Sequence, residues 1–453
     1  MIYTPFNNGD ENIYAGQVVA VSRGNIFNGD YSLALPWIGP LILGSLTRLT
    51  GSVEAVFILA DFILPALIFY LLYQLAREFK SEPGLAVLGS LASIFLYQLL
   101  TKINPLDWLE PMFFNFNRLI PPQLTFVFFL LFLLSFVRLT SWSGILAGLL
   151  AYVYFYHWTA ALVILAVRRR WRELILAGLI SSPYIYLALT ASPDQALRFG
   201  RLNGHFFEPL TTVRYLFMIG LVFWSSLAKK IKQFFYGLFV SAIGLMNLQF
   251  VTGFTIAPGH WPSSTFEPLV PFTLVLVFKR YLKKFWPILL GLILIYGLIN
   301  QVRISWQWRQ MYYLSAKDKA IINEINNFSG RPTVITLDKR LNFYLPLYAQ
   351  ARLYLPYGSY SKLSNNELWQ RWLCAIQKNN LSELEIDEVL TDTQMIGHLF
   401  DLTFNQGLTV FSFGKRKLPE NKIIEAKTAL KQDLSCPSAD LIIINGKIYE
   451  TSD

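Results

Sequence analysis

Residues 53–76 read VEAVFILADFILPALIFYLLYQLA, a stretch with two acidic residues and no basic one. At about 1.5 Å of rise per residue, a helix of this length crosses the roughly 30 Å hydrocarbon core of a bilayer. Soluble domains seldom contain so long an apolar stretch, so the segment predicts a transmembrane helix. It therefore indicates that the chain is an integral membrane protein.

The rest of the chain repeats this pattern. Of its 453 residues, 54% are hydrophobic and 15% are charged. Further apolar runs occupy residues 84–101, 121–137, 144–167, 173–190, 212–228, 233–250, 266–279 and 285–303. The pattern predicts an α-helical polytopic protein of the cell membrane. We expect residues 34–49 to form an interfacial helix, because Pro36, Gly39 and Pro40 interrupt them and Arg48 lies near their end.

Basic residues concentrate in alternate connections between these runs. The basic connections are residues 77–82, 138, 168–173, 229–232 and 279–284, with fourteen basic and three acidic residues. Basic loops remain in the cytoplasm, so we expect these connections on the cytoplasmic face. The segments expected on the outer face are residues 1–33, 102–120, 191–211, 251–265 and 304–453.

The formal net charge of +10 does not indicate a nucleic-acid partner. Residues 304–453 hold 17 basic and 16 acidic residues, so the surplus belongs to the membrane part, residues 1–303. Basic residues in short loops are topology signals, whereas nucleic-acid binding needs a continuous basic groove.

The run at residues 144–167 conflicts with this orientation, because a single crossing would place Arg168–Arg172 on the outer face. The run is interrupted by the polar and aromatic residues 154–158, Tyr-Phe-Tyr-His-Trp. We therefore predict two arms of about 12 residues, each roughly 18 Å long, that form a short hairpin packed against neighbouring helices.

Residues 304–453 have a different character. Polar helices such as Asn365–Ile376 alternate with short β-like runs, which predicts a small extracytoplasmic α/β domain. The β-like runs are Thr333–Leu337, Arg352–Leu355, Leu408–Phe413 and Asp440–Ile444. The two cysteines, Cys374 and Cys436, could form one disulfide or remain as two buried thiols, and the sequence leaves both open.

This layout resembles the GT-C superfamily of membrane glycosyltransferases, in particular bacterial proteins of the dolichyl-phosphate-mannose-mannosyltransferase-like kind. The resemblance rests on the acid pair Asp10-Glu11 with Asp30 behind it, and on an interfacial helix at Leu35–Thr50 ahead of a long span. It rests also on the short hairpin, the basic run Arg168–Arg172 with a span ending Ser182-Pro183-Tyr184, and the α/β domain after the last span. Such enzymes transfer a sugar from a polyprenyl-phosphate lipid to an acceptor on the outer face, with inversion.

The resemblance implies roles for three carboxylates. Asp10 would accept the proton of the acceptor hydroxyl, and Glu11 would orient the acceptor or position a metal. Asp30 would supply a second carboxylate or a metal ligand. From the residues alone, Asp10 is also a helix N-cap before Asn12–Val21, and Asp30 fits an ordinary turn.

Cations in the outer loops are candidates for binding the departing lipid phosphate. They are Arg118, Arg198, Arg201, His205 and His260. Each also fits a headgroup contact or a loop anchor. Asp61, within the first span, is a further candidate, although pairing with a neighbouring helix would equally explain it. We interpret His157, at the hairpin tip, as a packed histidine.

The expected function is therefore a membrane glycosyltransferase with a polyprenyl-phosphate sugar as donor and a lipid, glycan or protein as acceptor. No metal-ligand spacing is present, although Mg²⁺ or Mn²⁺ is compatible with the resemblance. Two alternatives stay open, an envelope lipid or polymer transporter and a catalytically inactive GT-C-like scaffold. The scaffold is favoured by the start of the chain nine residues ahead of Asp10, where the family has a further transmembrane helix.

Overall fold

The computed structural model describes residues 9–25, 37–97, 119–190, 193–198, 201–256, 259–308, 314–400, 403 and 417–451. Asp30, Arg118 and the β-like run Leu408–Phe413 lie outside these residues. The described part is mainly helical and contains one two-stranded and one four-stranded sheet. The predicted mainly helical class is therefore confirmed.

Helices account for nearly all of the described chain before residue 309. They are α1 (Gly9–Ser22), α2 (Ile38–Thr50), α3 (Val53–Glu78), α4 (Pro83–Phe95), α5 (Thr125–Val137), α6 (Trp142–Leu149), α7 (Phe155–Val167), α8 (Trp171–Leu189), α9 (Pro193–Arg198), α10 (Pro209–Trp224), α11 (Lys229–Met246), α12 (Leu248–Thr252), α13 (Leu269–Val277), α14 (Lys279–Leu282) and α15 (Trp286–Trp308). Single wider turns of π-helix, Leu119–Leu124 and Trp261–Phe266, come before α5 and α13. Strands β1 (Arg201–Asn203) and β2 (Phe254–Ile256) form an antiparallel pair.

In the described part of the chain, three helices are long and apolar enough to cross a membrane, namely α3, α8 and α15. They match the predicted runs 53–76, 173–190 and 285–303 to within a few residues, except that α15 extends to Trp308. Their outward faces are apolar as well, since Phe62 is 74% exposed and Leu179 and Leu298 are each 67% exposed. Exposed apolar helix faces on this scale need lipid around them, which supports a membrane protein.

The predicted break within residues 144–167 is confirmed. Helix α6 continues through a 3₁₀ turn at Leu150–Tyr152, Tyr154 adopts an extended backbone, and α7 begins at Phe155. Each arm, at about 1.5 Å per residue, is shorter than the roughly 30 Å bilayer core. The two arms pack against each other and α6 packs along α8.

Small residues bring α6 and α8 close together. A Cβ atom added at Gly144 would lie 2.9 Å from the Cα of Glu173, and one at Gly148 would lie 2.6 Å from the Cβ of Ile180. This Gly-x-x-x-Gly spacing is the usual means by which membrane helices approach each other, because dispersion contacts replace the hydrophobic effect there.

One end of the helical part gathers the basic connections, and we refer to it as the basic end. Arg138 Nε donates to Glu78 Oε1 at 2.7 Å, and Lys283 Nζ donates to Glu82 Oε1 at 2.6 Å. Arg168 Nη1 donates to the carbonyl of Gln233 at 3.3 Å. Segments predicted to share the cytoplasmic face therefore contact one another.

The described residues after α15 form the α/β part of the chain. Its strands are β3 (Thr333–Ile335), β4 (Arg352–Leu353), β5 (Leu441–Ile444) and β6 (Lys447–Glu450), in the order β4-β3-β5-β6. Its helices are α16 (Ala316–Asn326), α17 (Lys339–Tyr348), α18 (Asn365–Lys378), α19 (Glu383–Thr391), α20 (Thr393–Phe400) and α21 (Glu420–Ala429), with a 3₁₀ turn at Gly358–Tyr360. Strand β3 is parallel to β4 and β5, and β6 pairs antiparallel with β5.

Three of the predicted β-like runs coincide with β3, β4 and β5, whereas β6 was not predicted. Its residues alternate too weakly to indicate a strand. The turn before it, Asn445-Gly446, has positive φ at both positions, 52° and 77°. An Asn-Gly pair of this kind is a strong hairpin signal and could have revealed β6.

Cys374 and Cys436 form a disulfide, which joins α18 to the segment after α21. Of the two arrangements that the sequence left open, the bonded one is therefore found. Because the chain has only these two cysteines, neither is a free thiol.

The α/β part contacts the helical part at the end opposite the basic end, which we call the domain end. Gly16 of α1 packs against Pro346 of α17, where an added Cβ would lie 3.2 Å from the proline Cβ. The rings of Tyr14 and Tyr360 meet edge to face at 5.8 Å. Helix α1 therefore belongs to the same end as the α/β part.

We predict that Gly148→Val lowers the free energy of unfolding by about 1–3 kcal/mol, because its side chain would overlap Ile180 and force α6 away from α8. Thermal unfolding of the purified protein in detergent measures the change. Gly178→Val is the matched control, because no atom lies within 4 Å of a Cβ at that glycine. Equal unfolding temperatures for the two variants would contradict close packing of α6 on α8.

Candidate functional site

The acid pair Asp10-Glu11 lies in the first turn of α1, which begins at Gly9. The helix therefore starts ahead of Asp10, not after it as the N-cap interpretation requires. Carboxylates in a first turn are favoured by the helix dipole, so a local structural role remains compatible with this position. The catalytic role of the pair stays a prediction.

Helix α1 is held between the helical part and the α/β part. On one side, a Cβ at Gly44 of α2 would lie 2.6 Å from the Cβ of Val21, so the two backbones run close together. On the other side, Gly16 packs on Pro346 and Tyr14 packs on Tyr360. Helix α1 is thereby fixed at the domain end.

Arg198 is fully buried and fastens the segment after α8 to the α/β part. Its Nη2 donates to the carbonyls of Ser361 and Leu363 at 3.0 and 2.8 Å, and its Nη1 donates to Asn365 Oδ1 at 2.8 Å. Burial lowers the pKa of Arg198 to about 10, against the opposing effect of Asp194, and the guanidinium stays charged at neutral pH. These contacts favour the loop-anchor alternative over direct phosphate binding.

Arg201 is exposed and lies on the β1–β2 pair. Its guanidinium carbon is 4.6 Å from the ring centroid of Phe254, and its Nε donates to Asn203 Oδ1 at 3.0 Å. Phe250 and Val251 nearby in the chain are also exposed. A cation beside exposed apolar side chains is typical of the membrane–water boundary, where it can contact lipid phosphate.

His205 belongs to the same neighbourhood. Its Nδ1 lies 3.0 Å from the carbonyl oxygen of Phe250, and its ring covers Gly253. Gly253 has a φ of +72°, and a Cβ there would lie 3.0 Å from His205 Nε2. The glycine therefore supplies both the left-handed turn before β2 and the space for the imidazole.

His260 is held by the hairpin tip between α6 and α7. Its Nδ1 lies 2.7 Å from Oη of Tyr154, and its ring stacks on Tyr156 with centroids 4.8 Å apart. Tyr156 Oη in turn donates to the carbonyl of Ile256, which pairs with Arg201 across the β1–β2 ladder. Arg201, His205 and His260 thus lie in one connected region, which we call the cation region.

His157 is a packed histidine, as predicted. It is fully buried, its Nδ1 lies 3.0 Å from Thr265 Oγ1, and its ring stacks on Phe129 with centroids 4.9 Å apart. Asp61 accepts a long hydrogen bond of 3.5 Å from Gln123 Nε2. Pairing with a neighbouring helix was the alternative to a functional role for Asp61, and this contact favours it.

An ion pair inside the apolar runs was not predicted. Arg214 Nη1 of α10 donates to Glu267 Oε1, just ahead of α13, at 2.8 Å. Both residues lie within predicted spans, 212–228 and 266–279, and their opposite signs were visible in the sequence. Charged residues within apolar segments are usually paired, as these two are.

Among the side chains that the structure describes, no group of three or more His, Cys, Asp or Glu could hold a metal ion. The side chains of Asp10, Glu11 and Asp30 do not belong to that set. A divalent cation at the acid pair therefore stays a prediction of the resemblance.

No protein-family model matches the sequence, and no curated protein matches it with significance.

We predict that Arg198→Leu lowers the free energy of unfolding by about 2–4 kcal/mol, because it leaves buried carbonyls without donors. Thermal unfolding measures this effect. Arg201→Leu is the control, since Arg201 is exposed and its loss should leave the unfolding temperature unchanged. If Arg198→Leu unfolds like the unaltered protein but binds phosphate-bearing lipid less tightly, Arg198 contacts the ligand and the anchor assignment is wrong.

Proposed function

We propose that the protein is a membrane glycosyltransferase of the GT-C type. It would transfer a sugar from a polyprenyl-phosphate donor to a lipid, glycan or protein acceptor on the extracytoplasmic side. Asp10 is the proposed base and Glu11 its helper, with Asp30 as a second carboxylate. The phosphate would be bound by Arg201, His205 and His260.

The observation that carries this proposal is that the segments bearing the acid pair and the candidate phosphate-binding cations lie at the same end of the helical part. Helix α1, which bears the acid pair, packs on the α/β part through Tyr14 and Gly16. Arg198 fastens the segment before β1 to the same part, and the β1–β2 pair joins that segment to the one bearing His260. The basic connections meet at the opposite end. A proton acceptor and phosphate-binding cations at one end are what sugar transfer from a lipid phosphate needs.

The disulfide supports an extracytoplasmic domain end. Disulfides persist in oxidising compartments and are rare in the reducing cytosol. The Cys374–Cys436 bond lies in the α/β part, which packs at the domain end. The basic end then faces the cytoplasm, in agreement with the charge rule for loops.

The proposed reaction is a direct displacement at the anomeric carbon. The acceptor oxygen forms a bond to this carbon while Asp10 takes the hydroxyl proton. The bond from the anomeric carbon to the phosphate oxygen breaks, and the polyprenyl phosphate leaves with the electron pair. Arg201, His205 and His260 would stabilise the charge that develops on the phosphate. Arg118 stays a further candidate for this role, whereas the contacts of Arg198 favour an indirect, anchoring role.

We predict that Asp10→Asn reduces sugar transfer by roughly 100-fold or more, because the amide cannot accept the proton. Purified protein and a panel of polyprenyl-phosphate sugars with candidate acceptors provide the assay. Glu54→Gln is a matched control, since Glu54 is another carboxylate at the domain end, near Tyr348 of α17. Full activity of Asp10→Asn would refute the base assignment, and no transfer by the unaltered protein with any donor would refute the proposed function.

Transport of a lipid or polymer is the second candidate, and the Arg214–Glu267 pair is the observation that favours it. The two candidates differ in what they need from the membrane. A transferase should act in detergent solution, whereas movement of lipid between leaflets can be detected only in sealed vesicles.

The orientation gives a separate prediction. A cysteine introduced by Asn203→Cys, at the domain end, should react with a membrane-impermeant maleimide in intact cells. One introduced by Lys230→Cys, at the basic end, should react only after the cells are permeabilised. Both positions are exposed, and the bonded native cysteines give no background. The reverse labelling pattern would place the domain end in the cytosol and contradict an extracytoplasmic transferase.

A further inference from the structure

We infer that Tyr154 is a positioning residue that fixes the imidazole of His260 for a lipid phosphate. The inference rests on the proposed function, because it takes His260 as a ligand of that phosphate. From the sequence alone, Tyr154 indicates only the break in the hairpin between α6 and α7. Three observations support it, namely the contact between the two side chains, the rigidity of Tyr154, and the second tyrosine on the same imidazole.

The contact is a short hydrogen bond between side chains far apart in sequence. Oη of Tyr154 lies 2.7 Å from Nδ1 of His260, at the tip of the hairpin that is too short to cross the membrane. A hydrogen bond to one ring nitrogen of a histidine determines what the other nitrogen carries.

The consequence for His260 is the same in both charge states of the ring. For the neutral imidazole we infer that the phenol donates to Nδ1, which leaves the ring proton on Nε2. When the imidazole is protonated, Nδ1–H donates to the phenol oxygen, and Nε2 again bears a proton. With the phenol as donor to the neutral ring, Nε2 is a donor in both charge states, which is the property that a phosphate ligand needs.

Tyr154 itself is held rigidly. Its backbone nitrogen donates to the carbonyl of Leu150 at 2.8 Å, and its carbonyl accepts from the nitrogen of Trp158 at 3.0 Å. The side chain is only 6% exposed, and its ring lies edge-on to the buried ring of His157 at 4.9 Å. The phenol oxygen is consequently fixed in position before any ligand binds.

Tyr156 restricts the same imidazole from its face. Its ring stacks on His260 with an interplanar angle of 15°, and its own Oη donates to the carbonyl of Ile256 at 3.1 Å. One tyrosine thus holds the edge of the ring and the other holds its plane. Both tyrosines belong to the hairpin tip, so the break between α6 and α7 also serves to orient the imidazole of His260.

The first test observes the tautomer of His260 directly. The chain has four histidines, so ¹⁵N-histidine labelling gives few signals, and His260→Gln identifies the one that belongs to His260. In the unaltered protein we expect Nε2 protonated and Nδ1 as acceptor at neutral pH. In Tyr154→Phe the Nδ1 resonance should move toward the average of the two tautomers. A proton on Nδ1 of the neutral ring in the unaltered protein, or an unmoved resonance in Tyr154→Phe, would overturn the inference.

The second test measures binding of undecaprenyl phosphate in phosphatidylcholine nanodiscs, with undecaprenol as the probe that lacks phosphate. We expect His260→Gln to weaken binding of the phosphate lipid by roughly 10- to 100-fold and Tyr154→Phe by roughly 3- to 10-fold. Tyr152→Phe is the matched control, because Oη of Tyr152 donates to the carbonyl of Ile180 and not to His260. It should bind like the unaltered protein.

The outcomes separate the inference from the proposed function. If the unaltered protein does not prefer undecaprenyl phosphate over undecaprenol, the phosphate site and with it the proposed function fail. If it does, and His260→Gln weakens binding while Tyr154→Phe does not, His260 is a ligand that Tyr154 does not position. Should Tyr154→Phe fail to fold, the tautomer in the unaltered protein still decides the matter.

Discussion

The free-energy cost of placing charged side chains in hydrocarbon is the constraint on which the rest of this structure depends. It keeps the basic connections at one end, where Arg138 and Lys283 pair with Glu78 and Glu82. It also explains the hairpin of α6 and α7, because a continuous helix would carry the Arg168–Arg172 run to the other end. Breaking that helix at Tyr154 keeps the charges together and brings a cluster of tyrosines to the domain end.

The domain end is assembled around α1. This short helix contacts α2 through Gly44 on one side and α17 through Gly16 on the other, so it joins the helical part to the α/β part. Its first turn carries the acid pair, which is thereby placed at the junction of a lipid-facing region and a disulfide-bonded domain. A transferase that takes its sugar from a lipid and passes it to an acceptor outside the membrane needs a base in such a place.

The cations of the domain end divide by their contacts. Nη1 and Nη2 of Arg198 donate to three acceptors in the α/β part, so this residue stabilises the junction between the α/β part and the helical part. Arg201 stays exposed beside Phe254, and His260 is oriented by Tyr154 and Tyr156. Sequence spacing did not distinguish these residues, because a buried and an exposed arginine have the same side chain. Only their partners distinguish them.

Hydropathy and charge indicated the mainly helical class, the approximate bounds of α3, α8 and α15, and the break within residues 154–158, because those signals lie within single segments. They also indicated the strands at residues 333–335, 352–353 and 441–444. Tertiary structure alone decided that the cysteines bond, that Arg214 meets Glu267, and that Tyr154 meets His260. These contacts join residues 53 to 106 positions apart, and no periodicity in the sequence records which distant side chains will meet once the helices pack.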